Sequence, residues 1–304
     1  MSLNPIAEKY EEMKRLFSVS PLNPEITDKF KEINDLCLVE TKKMKTIPIT
    51  SSSAAKSKNY FVFCVDKNGS PVYSRPVNLD LYEEGLEQVY EDDGKEYPKI
   101  EQFWLDVKNG TIANQSAEDI TSALYTISMN YCCCADLVDG VKNNSGNYFE
   151  KLIGHLFAMH LNLVPSTKMN AVELDGQSIP LPTDYIFDLG SGKPKYHVPV
   201  KTSTRERVVE VWAQQRILDG AFGVGRFLCL LVCIGETNFV RKSMSVDIVC
   251  VPNQWMNYQL FVSQIKRAYY LDVPDKYAEL NERFPRIHVK QFGEFFHESA
   301  ALAD

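Results

Sequence analysis

A pair of strand-like runs around one glycine-containing loop constrains the fold of this 304-residue chain more than any other feature. The runs are Thr183–Leu189 and Tyr196–Thr202, and the six residues GSGKPK separate them. Turn-forming residues between two segments rich in aromatic and β-branched side chains predict a β-hairpin. An aspartate lies inside the first run and a lysine inside the second, where a charged group needs solvent or a partner.

A symmetric hairpin around this loop places side chains of the two runs on two faces of different polarity. Because side chains alternate along a strand, one face is almost wholly apolar. The other face holds the directly opposed pairs Asp184 and Lys201, Ile186 and Pro199, and Asp188 and His197. Asp184 and Lys201 are thus expected to meet on a solvated face, with Cβ atoms ~4.5–5.5 Å apart. A plain cross-strand salt bridge and an active site are both consistent with the pair.

The segments around the hairpin predict the element order α-β-β-β-α-β. Apolar residues at helical spacing predict the first helix over Tyr148–Leu161, and Gly220 is expected to end the second. The predicted elements are helix Tyr148–Leu161, strands Lys168–Leu174, Thr183–Leu189 and Tyr196–Thr202, helix Arg205–Leu218 and strand Arg226–Ile234. A strand over Val246–Val251 and a helix around Asn257–Tyr270 are expected to extend this order.

The N-terminal part has a different pattern. Helical periodicity covers residues 4–17, 23–40 and 117–138, and a strand-rich stretch covers 59–80 with an Asn-Gly turn signal at Asn68–Gly69. The run DGVKNNSGN then interrupts the pattern and predicts a boundary near residue 142. We therefore expect an N-terminal α+β extension over 1–141 and a core over 142–304.

Composition is that of a soluble globular protein, with 44% hydrophobic and 24% charged residues. No apolar run reaches the ~18 residues of a membrane span, and the N-terminus lacks a signal-peptide pattern, so the cytoplasm is the expected location. Eight cysteines, three of them consecutive at Cys132–Cys134, fit buried free thiols better than disulfides or a zinc site.

The net charge of −7 weakly disfavours bulk attraction to nucleic acid, but the basic residues are unevenly distributed. Thr41–Lys58 contains no acidic residue, and its Ser/Ala-rich middle predicts a mobile loop. Its lysines are Lys42, Lys43, Lys45, Lys56 and Lys58. A solvated surface loop and an arm that contacts phosphates are both consistent with this composition.

The predicted element order, with Asp184 after Pro-Thr in the second strand and Lys201 in the third, resembles the core of the PD-(D/E)XK nuclease superfamily. More narrowly, PTDYIF and VPVKTSTRERVVEVWAQQRILDG resemble a segment of type II restriction endonucleases. GNYFEKLIG resembles the first motif of the superfamily, in which a glutamate completes an acidic cluster. The resemblance covers roughly residues 146–234 and implies an α/β fold with a mixed central sheet flanked by helices.

The resemblance assigns catalytic roles to Asp184, Lys201 and Glu150. Asp184 and Glu150 are expected to bind Mg²⁺, a hard cation that prefers oxygen ligands. Lys201 is expected to hold the attacking water and offset negative charge, because neighbouring carboxylates favour its protonated form. Glu150 has an alternative role, since Asn147 followed by an acid three residues later is the capping-box pattern of a helix start.

The sequence departs from the superfamily pattern at Pro199, where the third motif has an acid two residues before the lysine. Proline cannot coordinate a metal, and it removes a ladder hydrogen bond. The missing ligand is therefore expected from the next helix, from Glu206 or Glu210, or else the site is impaired. Asp188 and His197 lie on the same face but two steps down the hairpin, and they are expected either to support the site residues or to take no part in the chemistry.

Contacts to DNA are expected from the polar segment after the lysine and from the lysine-rich segment. At least one of Thr202, Ser203 and Thr204 is expected to cap the second helix, and the exposed N–H groups and arginines at its start are also candidates to bind a phosphate. The candidate DNA-binding residues are Thr202, Ser203, Arg205, Arg207, Lys42, Lys43 and Lys45.

The resemblance implies a sequence-specific, Mg²⁺-dependent endonuclease that hydrolyses phosphodiester bonds in double-stranded DNA. A palindromic site implies a homodimer, and a restriction-modification role implies the cytoplasm of a prokaryote, with no membrane partner. The N-terminal region 1–141 is expected to serve DNA recognition or dimerisation, and 142–304 to be the nuclease core. The alternatives are a repair or recombination nuclease of the same fold and a non-catalytic DNA-binding protein with a degenerate site.

Overall fold

The computed structural model describes residues 4–51, 58–89, 98–141, 144–174, 177–190, 192–205 and 208–303. Its helices are α1 Pro5–Val19, α2 Glu25–Thr41, α3 Leu79–Val89, α4 Pro98–Asn109, α5 Ala117–Leu137, α6 Ser145–Leu161, α7 Val208–Phe222, α8 Pro252–Phe261, α9 Asp275–Ala278, α10 Leu280–Arg283 and α11 Glu294–Leu302. Its strands are β1 Lys45–Ser51, β2 Tyr60–Lys67, β3 Ser70–Tyr73, β4 Val77–Asn78, β5 Ser166–Leu174, β6 Gln177–Phe187, β7 Lys195–Val198, β8 Val200–Lys201, β9 Phe227–Cys233, β10 Thr237–Val240, β11 Ser245–Ile248, β12 Arg267–Tyr270 and β13 Val289–Gln291.

The main sheet has the strand order β13-β12-β9-β7-β6-β5, with β8 also paired to β9. The pairs β5–β6 and β6–β7 are antiparallel. The pairs β7–β9, β9–β12 and β12–β13 are parallel. The sheet is therefore mixed, as the sequence predicts. The run α6-β5-β6-β7-α7-β9 also follows the predicted order α-β-β-β-α-β.

Helices cover both faces of the main sheet. Tyr185 and Phe187 of β6 lie in a large apolar cluster with Phe157 of α6 and Phe295 of α11, whose rings stack 4.0 Å apart. On the reverse face, Ile186 packs against Leu218 of α7. This second face was predicted to be solvated. It is covered instead, because α7 returns over the strands and brings its own apolar side chains onto them.

The second sheet has the order β10-β11-β1-β2-β3, and β4 pairs with β2. It draws strands from both sides of the predicted boundary, since β1 pairs in parallel with β11. The apolar cluster around Phe157 likewise includes side chains from the N-terminal helices, such as Phe30 of α2. A division of function between 1–141 and 142–304 stays a prediction.

Most N-terminal predictions match the observed elements within a few residues. Asn68 and Gly69 both have positive φ, at 56° and 78°, in the predicted turn between β2 and β3. The consecutive cysteines of α5 are buried free thiols. The segment after Thr41 was predicted to be a loop, but Lys45–Ser51 forms β1, paired antiparallel with β2; residues 52–57 lie outside the described residues.

The strand predicted over Val246–Val251 is confirmed as β11, and it lies in the second sheet. Two other predictions in the C-terminal part are wrong. The helix expected around Asn257–Tyr270 is replaced by the end of α8 and by β12, because a buried parallel strand is apolar on both faces and mimics a helical run. Helix α7 passes through Gly220 and ends before Gly223, which has a φ of 97°.

Across the residues that the structure describes, none of the helices combines the length and apolar character required to cross a lipid bilayer.

Candidate active site

Asp184 and Lys201 meet at the end of the β6–β7 hairpin. Oδ2 of Asp184 lies 3.3 Å from Nζ of Lys201, and it also accepts a 2.7 Å hydrogen bond from the main-chain N–H of Val200. The Asp184 side chain is 22% exposed and that of Lys201 is 14% exposed, so the pair is half-buried yet reachable from solvent. Among the described residues, no donor lies within hydrogen-bonding distance of Oδ1 of Asp184.

The register that produces this meeting differs from the predicted one. Ile186 pairs with His197, not with Pro199, so the strands are offset by two residues. An offset of two keeps every side chain on its predicted face, because side chains alternate with a period of two. Asp188 therefore pairs with Lys195 across the start of the turn, through a 2.6 Å contact between Oδ2 and Nζ.

Pro199 explains how Asp184 and Lys201 still come together. It interrupts the third strand, which continues as β8, and its carbonyl accepts a hydrogen bond from the N–H of Val232 in β9. Pro199 has no N–H of its own to donate to β6. The next free donor, the N–H of Val200, bonds to the Asp184 carboxylate and brings Lys201 alongside it.

Glu210 in the first turn of α7 is the second acid near Lys201. Its Oε1 lies 3.7 Å from Nζ of Lys201, and its side chain is 41% exposed. The ammonium thus lies between two carboxylates. Of the two acids predicted to replace the one missing at Pro199, Glu210 is close to the pair, while Glu206 lies outside the described residues, as does Arg207.

Glu150 approaches the same site from α6. Its side chain is half-buried, and burial raises the pKa of its carboxyl, with a further rise from the negative charge of Asp184. The ammonium of Lys201 acts in the opposite direction. Helix α6 begins at Ser145 with Asn144 as its N-cap, so Asn147 is inside the first turn. The capping-box interpretation of Glu150 is therefore wrong.

Gly154 allows α6 to lie close enough to the sheet for Glu150 to approach Asp184. A Cβ atom at residue 154 would lie 2.4 Å from the ring of Tyr185, the neighbour of Asp184 in β6. Gly154 and Glu150 are four residues apart and share one face of the helix. The sequence does not indicate this role, since a glycine inside a helical pattern predicts only a lower helix propensity at that residue.

Glu236 organises the polar segment that follows Lys201. This carboxylate is 1% exposed and accepts hydrogen bonds from the N–H and the hydroxyl of Thr204, at 2.9 Å and 2.6 Å. It also accepts from the N–H of Arg205 and from the hydroxyl of Tyr270. Of the N–H groups around the predicted helix start, those of Thr204 and Arg205 are thus bound by Glu236 and are not available to a phosphate. Glu206 and Arg207, which complete the predicted helix start, lie outside the described residues.

The remaining predicted DNA-binding residues lie in two places. Thr202, Ser203 and Arg205 line a cleft of about 560 Å³ beside Lys201. Lys42 lines a separate groove against the second sheet, Lys43 forms a 2.7 Å ion pair with Glu40, and Lys45 is the first residue of β1. The structure thus brings the first group, and none of these lysines, to the cleft near the Asp184–Lys201 pair.

His197 lies on the same face of the hairpin as Asp184 but is covered by α7. It is fully buried under α7, where its Nδ1 lies 3.0 Å from Oε1 of Gln215. Burial lowers the pKa of His197 to about 4, so the ring is neutral at physiological pH.

The carboxylates near Lys201 fit a magnesium ion that keeps much of its water. Mg²⁺ is usually bound by one or two carboxylates together with waters and phosphate oxygens. Asp184 offers Oδ1, and Glu150 is a half-buried carboxyl whose pKa is raised first by burial and then by the negative charge of Asp184, which a divalent cation would offset. Within the described ranges, no group of three or more His, Cys, Asp or Glu side chains forms a complete metal site.

Comparisons with known proteins give structural relatives only. No protein-family model and no curated protein matches the chain. The structure is similar to that of the type IIP restriction endonuclease Kpn2I, with a TM-score of 0.73, 22% sequence identity and coverage of 97% of this chain and 96% of that one. It also matches the restriction endonuclease PspGI, solved with substrate DNA, at a TM-score of 0.38, 16% identity and coverage of 74% and 88%.

The match to Kpn2I spans nearly the whole of both chains, including the N-terminal region that the sequence resemblance did not reach. The resemblance to type II restriction endonucleases is thus confirmed at the level of the fold. This chain has the fold of a type II restriction endonuclease.

Proposed function

We propose that this protein is a sequence-specific, Mg²⁺-dependent endonuclease of the type II restriction class, which hydrolyses phosphodiester bonds in double-stranded DNA. The observation that carries the proposal is the 3.3 Å approach of Lys201 to Asp184 at the open end of a sheet, in a chain with a restriction endonuclease fold. The half-buried Glu150 and the nearby Glu210 supply further negative charge at the same place.

Each residue has a separate task in the proposed reaction. Asp184 and Glu150, with Glu210 as the replacement for the acid missing at Pro199, would hold the metal. Bound Mg²⁺ would act as a Lewis acid on the phosphate and lower the pKa of a coordinated water. Lys201 would orient the attacking water and offset the charge that accumulates on the phosphate oxygens. Its Nζ lies 3.3 Å from Asp184 and 3.7 Å from Glu210, so we assign it an electrostatic role and not that of a general base.

A palindromic site and cleavage of both strands call for two active sites related by a two-fold axis, so we propose a homodimer. The proposed setting is the cytoplasm of a prokaryote, where a restriction enzyme meets foreign DNA. We keep residues 1–141 as the proposed source of recognition or dimer contacts.

Digestion of a sequenced plasmid tests the proposal. The purified protein with Mg²⁺ should give discrete fragments, and mapping of their ends should reveal one short sequence that is its own reverse complement. An excess of EDTA should abolish cleavage, and added Mg²⁺ should restore it. Plasmids of diverse sequence left intact under all of these conditions would contradict the enzyme assignment.

The same digestion separates the two alternative functions. A repair or recombination nuclease of this fold would leave linear duplex intact and cut branched, nicked or mismatched substrates. A non-catalytic DNA-binding protein would retard the duplex in a gel and leave its strands whole.

A further inference from the structure

The cleft of about 560 Å³ beside Lys201 has walls from three parts of the chain. One wall is Thr202–Arg205, which follows the candidate catalytic lysine directly. The other wall is formed by Asn238 of β10 and by Arg241 in the turn between β10 and β11, and the residues after β3, among them Arg75, complete the lining. Because Thr202 follows Lys201 directly, the cleft begins one residue along the chain from the candidate catalytic lysine.

The charges in this cleft are only partly compensated. The guanidinium of Arg75 makes two hydrogen bonds to Asp136, at 2.8 Å and 2.9 Å. Asp272, at the floor, forms a 2.6 Å ion pair with Lys58. The other two arginines of the lining, Arg205 and Arg241, form no ion pair with any carboxylate of the described residues. The lining thus carries two arginines without an ion-pair partner among the described residues, in a protein whose net charge is −7.

The two arginines differ in how strongly the surrounding protein fixes their side chains. The guanidinium of Arg205 donates to the carbonyl of Thr237 on the other wall, so its direction is set before any ligand arrives. Arg241 is exposed in a 3₁₀ turn, Arg241–Ser243, that ends at Met244 with a left-handed φ of 47°. Because Glu236 binds the N–H groups of Thr204 and Arg205, these two groups are not available to an anion in the cleft.

We propose that this cleft holds the sugar–phosphate backbone of the strand being cut, and that Arg205 and Arg241 bind phosphates adjacent to the scissile one. The inference rests on the proposed nuclease function and names the contact surface of that same site. Guanidinium groups match phosphate geometry, and hydroxyl and amide groups such as those of Ser203 and Asn238 are common further donors to the backbone. The turn between β10 and β11 thereby acquires a role that its sequence, VRKSM, does not indicate.

Lys242 provides a matched control for Arg241. It is the next residue of the same turn, it is also exposed, and it carries the same charge, but it does not line the cleft. Both substitutions remove one positive charge from a surface turn, so neither is expected to disturb folding. A general effect of net charge would appear equally in both variants.

The first measurement is duplex binding in EDTA over a range of salt concentrations. For Arg241→Ala we expect weaker binding and a slope of log K against log salt that is smaller by about 0.9, the contribution of one phosphate contact. For Lys242→Ala we expect the wild-type slope. Equal effects of the two substitutions, or none from Arg241→Ala, would overturn the proposal.

The second measurement locates the phosphate. A duplex with one neutral methylphosphonate next to the mapped cleavage position removes the proposed partner of Arg241. We expect the effects of this duplex and of Arg241→Ala on binding to be strongly non-additive, because both delete the same contact. Additive effects at every phosphate within three of the cut would contradict the proposal.

The outcomes distinguish this inference from the proposed function. If the wild-type protein cuts DNA but Arg241→Ala and Lys242→Ala have equal slopes of log K against log salt, the proposed phosphate contact in the cleft is rejected and the nuclease function is retained. If Arg241→Ala shows the predicted smaller slope but the wild-type protein never cuts DNA, the nuclease function is rejected and the DNA contact in the cleft is retained. Failure of the wild-type protein to bind any duplex would reject both.

Discussion

The main-chain N–H of Val200 donates a 2.7 Å hydrogen bond to Oδ2 of Asp184, the oxygen that also contacts the ammonium of Lys201. Asp184 therefore has a structural role as well as its proposed catalytic one. It supplies the acceptor that the third strand lacks where Pro199 interrupts its pairing with β6. Removing the whole side chain would leave this donor unsatisfied, at a cost of about 1–3 kcal/mol. Asparagine keeps an acceptor oxygen, so Asp184→Asn is the substitution that isolates the chemistry.

Gly154→Ala is expected to lower both stability and cleavage. The added Cβ would lie 2.4 Å from the Tyr185 ring, so α6 must move away from β6 or the ring must shift. Overpacking of this kind typically costs about 1–3 kcal/mol. Because Glu150 lies one turn earlier on the same face, cleavage should fall further than the loss of folded protein explains. Denaturant unfolding and cleavage rates, measured on the same preparation, test this.

Gly146→Ala in the first turn of the same helix is the control. No neighbouring atom lies within 4 Å of a Cβ at this position. Alanine should therefore be neutral or raise the free energy of unfolding by up to about 1 kcal/mol, through its higher helix propensity. Equal destabilisation by both alanines would show that the Tyr185 contact does not set the position of α6.

Glu236→Gln is expected to loosen the segment between Lys201 and α7. An NH₂ group in place of Oε2 cannot accept a hydrogen bond, so the N–H of Arg205 would lose its acceptor and the N–H of Thr204 would keep only Oε1. We expect the free energy of unfolding to fall by about 1–3 kcal/mol, since buried donors lose their acceptor. Cleavage should slow as well, because this segment carries Thr202, Ser203 and Arg205. The exposed Glu282→Gln, with the same chemical change, should alter stability by less than about 0.5 kcal/mol. A Glu236→Gln protein as stable and active as the wild type would contradict this role.

Acid should destabilise the protein as buried histidines are forced to ionise. Burial lowers the pKa of His197 and of His155 to about 4, against an ordinary value of 6.5. In this pH interval the unfolded chain binds more protons than the folded one, so stability is complete above pH ~6.5 and falls as the pH drops towards ~4. Unfolding free energies at pH 7 and pH 5 test the direction. The drop should be smaller in His197→Asn, which cannot ionise there, and an equal drop in both proteins would contradict the assignment.

The two faces of the hairpin were predictable from the sequence, whereas its register was not. An offset of two residues leaves Asp184 and Lys201 on their predicted face, so the central pair survives an error in pairing. The register depends on the turn, where Gly190 and Gly192 have φ of 100° and 88°. Glycine tolerates many turn geometries, and the loop length alone cannot select one of them.

The parts of the site that escaped prediction depend on tertiary contacts. Glu236 follows an apolar strand and reads as an ordinary surface acid, because nothing in GET reveals that it turns inward to Thr204. Gly154 shows its purpose only once β6 lies against α6. The sequence likewise could not decide between Glu206 and Glu210 as the acid near Lys201, because that depends on how α7 is placed against the hairpin.

The most direct test of the central claim compares cleavage with binding in Asp184→Asn and Lys201→Met. Single-turnover cleavage of a duplex with the mapped site, in Mg²⁺, is measured beside the Kd of the same duplex in EDTA. Asp188→Asn is the matched control, since Asp188 is the other aspartate of the hairpin and pairs with Lys195 away from the site. We predict that both site variants lose at least ~10²-fold in rate, as expected when transition-state charge stabilisation is removed, with Kd nearly unchanged, while Asp188→Asn cuts normally. Site variants that cut at the wild-type rate would contradict the account.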